Sequence, residues 1–204
     1  MLNNSKAAPS GAKKPNTSAI VGMGLMTAIV IVLQALAITV KFGTFSVTFV
    51  LVPIIVGAAL YGWKAGAWLG AVFGVVVLFT DAGAFLAVNI PGTIITCVLK
   101  GVAAGAAAGL IYKALSKKSE LAAVLTAAVA APVVNTGVFL LGCAVFFLDT
   151  ISQWAETAGV LNAGTYLIVV MVGVNFLVEL GINLVLSSAI VSIINIVKKS
   201  SAKK

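Results

Sequence analysis

Six long apolar blocks, separated by short polar breaks, leave this chain few ways to fold. The blocks run over about 19–40, 45–62, 65–80, 91–115, 121–148 and 165–197. Their punctuation is Lys41-Phe42-Gly43, Gly62-Trp63-Lys64, Thr80-Asp81-Ala82-Gly83, Lys117-Lys118-Ser119-Glu120 and a polar stretch over 149–164. A helix needs about 20 apolar residues, at about 1.5 Å each, to cross the hydrocarbon core of a bilayer. The third block is short for that and must extend past its marked ends. The pattern predicts an all-α polytopic membrane protein: a six-transmembrane-helix bundle over 19–197, with basic tails at 1–18 and 198–204.

Composition agrees. Of 204 residues, 61% are hydrophobic and only 9% charged, against about 25% charged in soluble domains. The run from Ala19 to Val40 spans by itself, whereas the apolar core of a signal peptide is about 7–15 residues. It reads as a first span, not a cleaved leader. Cys97 and Cys143 lie inside apolar blocks and read as small buried hydrophobes. With no histidine, no metal-ligand spacing exists, and no cofactor is expected.

The net charge of +8 comes entirely from lysine, without the arginine forks that read phosphate or guanine. Nucleic acid is therefore not an expected partner. With six spans, Lys6, Lys13, Lys14, Lys64, Lys113, Lys117, Lys118, Lys198, Lys199, Lys203 and Lys204 share one side, and Lys41, Asp81, Asp149 and Glu156 the other. Lysine-rich short loops stay inside, which predicts both termini in the cytoplasm of a bacterial cell and a multi-pass place in its cytoplasmic membrane.

Helices in lipid associate through small residues that allow close approach. Glycine recurs every fourth position at Gly62, Gly66, Gly70 and Gly74, and again at Gly101, Gly105 and Gly109. Each series marks one smooth helical face. Gly24 and Ala28 make a shorter version on the first block.

A charge inside a span costs roughly 2.5–3.5 kcal/mol on insertion scales and is a functional candidate by default. Lys100 lies about 13 Å, and Glu179 about 21 Å, from the outer ends of their blocks. They are either a structural ion pair or, for Lys100, an anchor for an anionic ligand. Asn175, Glu179 and Asn183 form a stripe on the sixth block. Asn135 and Thr136 follow Pro132, which frees a backbone carbonyl in the turn before it. Thr96 lies one turn before Lys100, and Gln34 in the outer half of the first block. Together these can line one cavity between the last three spans. There is no histidine, no paired carboxylates and no serine beside a base, so no catalytic residue is assigned. The absence of a phosphate loop speaks against ATP hydrolysis by the chain itself.

The run Val52-Pro53-Ile54-Ile55-Val56-Gly57-Ala58-Ala59-Leu60-Tyr61-Gly62, with Lys64, Gly66, Gly70 and Gly74, resembles the substrate-binding S-component of energy-coupling factor (ECF) vitamin transporters. So do Lys100-Gly101, Ala104-Gly105, Tyr112-Lys113 and Ala131-Pro132-Val133-Val134-Asn135-Thr136-Gly137. The resemblance implies an importer subunit that captures a water-soluble vitamin outside and docks on a membrane coupling subunit bearing two cytoplasmic ATPases. It implies coupling contacts at Gly24 and Ala28, and a ligand near Phe42, Phe45, Asn89, Lys100, Asn135, Trp154, Tyr166, Asn175 and Glu179. Lys100 and the amides suit a hydroxylated carboxylate, so pantothenate is preferred, with riboflavin or folate next. The competing classes are a self-sufficient small secondary transporter or channel, and an intramembrane enzyme or assembly factor.

Overall fold

The computed structural model describes residues 17–37, 41–42, 45–46 and 49–202. The described residues are helical apart from short turns and a two-residue antiparallel ladder that pairs β1 (Lys41–Phe42) with β2 (Phe45–Ser46). Among the described residues, five helical stretches are long and apolar enough to cross a membrane: α1 (Thr17–Ala37), α3 (Trp63–Thr80), α5 (Ile90–Leu115), α6 (Glu120–Phe146) and the stretch Ala163–Val185. Helix α2 (Leu51–Tyr61) is shorter, because β2 occupies the start of the second block. The N-terminal tail over 1–16 lies outside the described residues.

Local chemistry sets the helix ends. The Asn89 side chain accepts from Gly92 N at 3.0 Å, with Pro91 in the first turn of α5. Proline costs nothing there, since its missing N–H would have no partner. Ser119 caps α6 in the same way through Ala122 N. Gly62 adopts a φ of 91° between α2 and α3, a conformation that side chains with a Cβ resist. The connections after α3 and α6 carry α4 (Gly83–Leu86) and the amphipathic α7 (Leu148–Thr157).

The last apolar block is not one uniform helix. A short α8 (Ala163–Thr165) leads into an eight-residue π-helical segment, Tyr166–Gly173, then α9 (Val174–Val185) and α10 (Ser187–Ala202). Helix α10 carries on through the boundary at 198 that charge suggested, because Lys198 is tied down. Its Nζ lies 2.7 Å from Glu120 Oε1 and donates to Tyr112 Oη at 2.9 Å. Burial pulls the Lys198 pKa down, but hydrogen bonds to Glu120 and Tyr112 outweigh it and leave the pKa raised.

Helices α3 and α5 run antiparallel in near backbone contact. A Cβ on Gly66 would fall on the Gly105 carbonyl oxygen, one on Gly70 on that of Gly101, and one on Gly74 on that of Cys97. The two glycine series therefore meet face to face. An apolar core of Val50, Leu51, Ile54, Ile55, Leu69, Phe73, Val124, Ile190 and Ile194 fills the space between α2, α3, α6 and α10. A second cluster of Phe85, Cys143, Phe147, Ile151, Leu167 and Met171 packs α4 and α7 against the bundle. Between the two lies a cavity.

Candidate functional site

Five elements supply the cavity wall. Gln34 comes from α1, Phe73 and Val77 from α3, and Asp81 from the residue that ends α3. Lys100 comes from α5, and Asn135, Thr136 and Phe139 from α6. The π-helical segment adds Met171 and Val172, and α9 adds Asn175, Phe176 and Glu179. The cavity offers about 80 Å³ to the centres of water-sized molecules, within about 570 Å³ of atom-free space that includes its open mouth.

The wall is amphipathic in a way that favours capture. The Lys100 ammonium lies 5.6 Å from the ring centre of Phe73 and 5.3 Å from that of Phe139. Such contacts contribute about 0.5–2 kcal/mol and hold a cation in an apolar place without neutralising it. Among the described residues Lys100 and Glu179 form no ion pair within 4.0 Å; the pair present is Lys198–Glu120. Asn135 and Asn175 each keep a buried side-chain oxygen without a hydrogen-bond partner. A buried acceptor left unmade costs about 1–3 kcal/mol, a debt that a ligand N–H or O–H cancels.

Gln34, Lys100, Asn135, Thr136, Asn175 and Glu179, six residues singled out from the sequence, thus line one cavity. The others lie elsewhere. Thr96 is buried against Gly142 of α6, with its hydroxyl unpartnered. Asn89 is spent on the α5 cap. Trp154 packs edge-on against Phe85 at 5.5 Å in the second cluster, and Tyr166 packs on the same cluster. The side chains of Phe42 and Phe45 lie outside the described residues. Asn183 completes the predicted stripe below the cavity, donating to the Glu179 carbonyl at 2.9 Å. The sequence reading underused Gln34 and passed over Asp81, Phe73 and Phe139. A lone buried amide in a span was the available signal for Gln34; Asp81 read as a loop residue because it ends its helix.

Gly24 and Ala28 sit on the exposed face of α1. A Cβ on Gly24 would meet nothing within 4 Å, and Ala28 borders a shallow apolar groove with Ile29, Val32 and Leu33. Helix α1 buries only Val30, Gln34 and Ala37 against the bundle.

Polar groups converging inside a helical membrane bundle describe a solute site, and comparison with known families specifies which kind. The family model for the ECF transporter substrate-specific component matches residues 18–191. The chain belongs to that family. The match runs from the second residue of α1 into α10 and so takes in every wall of the cavity. Comparison with curated proteins gave no match. As an ECF substrate-specific component, the chain belongs to the membrane subunits that bind the transported molecule.

Proposed function

We propose that this chain is the high-affinity capture subunit of an ECF-type importer for a water-soluble vitamin, with pantothenate the preferred ligand and riboflavin or folate next. The observation that carries this is Lys100. It is a cation held between two rings in a cavity whose amide oxygens want donors, without a carboxylate of the described residues closing on it. A slim molecule with a carboxylate at one end and hydroxyl or amide donors along its length meets both needs. The tight cavity suits such a molecule better than a fused three-ring system.

The arrangement is read as six crossings with both termini in the cytoplasm. Gln34 near the end of α1 bonds Thr80 and Asp81 at the end of α3, so these two helices run parallel and the chain between them crosses back. The ion pair of Lys198 with Glu120 sets the C-terminal helix beside the Lys117-Lys118 turn, the lysine-rich side. Gln34 and Asp81, near the far ends of α1 and α3, line the cavity, so in this reading a solute arrives from the other side. Gly24, Ala28 and the apolar groove beside them form the contact for the coupling subunit, which carries two cytoplasmic ATPases.

Calorimetric titration of the detergent-purified chain with pantothenate, riboflavin and folate is the test. Tight binding of one of them without ATP is expected; heats indistinguishable from dilution for all three would remove the reading. Liposomes holding only this chain should take up no labelled vitamin, and uptake there would favour the self-sufficient transporter.

A further inference from the structure

The best-determined polar group in the cavity is not one of the amides of α6 or α9 but Gln34. Its side chain is fully buried, and its amide nitrogen donates to Thr80 Oγ1 at 3.1 Å and to Asp81 Oδ2 at 2.7 Å. An ionised carboxylate only accepts. The Thr80 hydroxyl has its one proton directed at Asp81 Oδ2, 3.0 Å away, or at the Val76 carbonyl, 3.2 Å away, so it too must accept from Gln34. Both neighbours of the amide nitrogen are therefore acceptors, and the amide cannot turn over. Its oxygen is left buried, without a hydrogen-bond partner, on a residue that lines the cavity.

We propose that Gln34 Oε1 is a ligand-reading acceptor, oriented by Asp81 and Thr80, that selects molecules presenting an N–H or O–H donor to the α1 side of the cavity. The assignment rests on the capture reading above. It adds a specificity residue on α1 and makes Asp81 and Thr80 positioning residues that act through it. A neutral acceptor locked in one sense discriminates on donor content. A ligand oxygen with no hydrogen, placed against Gln34 Oε1, would leave two acceptors facing each other in a dry site. Helix α1 carries both this group and, on an exposed face further round, Gly24 and Ala28, so one helix offers the ligand-reading group and the proposed docking surface.

The experiment titrates wild type, Gln34→Leu, Gln34→Met and Asp81→Asn in detergent with pantothenate, riboflavin and folate. Whichever of these binds is then compared with forms O- or N-methylated at single donors. Thermal melts of each variant without added vitamin run alongside. Gln34→Leu and Gln34→Met should weaken the binder by about tenfold or more. One methylated form should be weakened similarly on wild type, with no further loss on the Gln34 variants. Asp81→Asn keeps Gln34 but lets its amide turn, and should narrow the ratio between the binder and that methylated form. If Gln34→Leu and Gln34→Met bind within twofold of wild type, or Asp81→Asn keeps the full ratio, the assignment falls while vitamin capture stands. If wild type binds none of the three, both fall.

Discussion

Lys100 shows how a single side chain can be costly to place and still be kept. Two aromatic rings shelter its charge, and a neutral side chain there would relieve the fold. Lys100→Gln should therefore melt at or above the wild-type temperature in detergent while losing affinity for the vitamin by tenfold or more in calorimetry. Because no ion pair joins Lys100 to Glu179 within 4.0 Å, the double change Lys100→Gln with Glu179→Gln should be additive in stability within about 0.5 kcal/mol. Rescue of one substitution by the other would restore the ion-pair reading. Lys100, Asn135, Asn175 and Glu179 were legible because a polar residue inside an apolar span has few innocent explanations. Asn89 and Trp154 were not, since an asparagine before Ile90-Pro91 is equally a helix cap and a tryptophan near an outer loop equally packs on its own neighbours.

Among the elements, the contact of α3 with α5 depends on hydrogen atoms standing where side chains would be. Gly70→Ala or Gly101→Ala drives a methyl into the facing carbonyl and should cost about 1–3 kcal/mol, as overpacking does. At Gly137 of α6 a Cβ meets nothing within 4 Å, so Gly137→Ala should instead stabilise by about 0.5–1 kcal/mol through helix propensity alone. Thermal unfolding of the three variants checks the opposite signs; equal shifts would mean that the seam is not backbone contact. Spacing of four revealed both glycine faces before any coordinates, since periodicity places residues around a helix. It could not reveal the π-helical turns of Tyr166–Gly173, whose apolar sequence suits any buried helix, nor the shortness of α2.

For the whole molecule the decisive property is direction. On the six-crossing arrangement proposed above, Lys118 lies inside and Glu156 outside, and both side chains are exposed. Cysteine placed at Lys118 should react with a membrane-impermeant maleimide only in inverted vesicles, and cysteine at Glu156 only in intact cells stripped of their wall. Labelling of both from one side would overturn the topology. The native Cys97 and Cys143 are buried and should stay silent. Lysine placement supplies the proposed direction, and the presence of several long apolar helices was readable from hydropathy. Which walls meet at the cavity was not, because that depends on α1 and α3 lying side by side and no pattern along the chain encodes the pairing.

The π-helical stretch that supplies Met171 and Val172 has one more consequence. A turn closed between residues five apart holds an extra residue compared with an α-turn. It is thus the point in this wall where a residue can be lost or gained while the helix beyond keeps its phase. A one-residue deletion there would swing the two apolar side chains out of the bore yet leave Glu179 where it is. The cavity carries its own adjustable gauge, set by chain length and independent of side-chain identity.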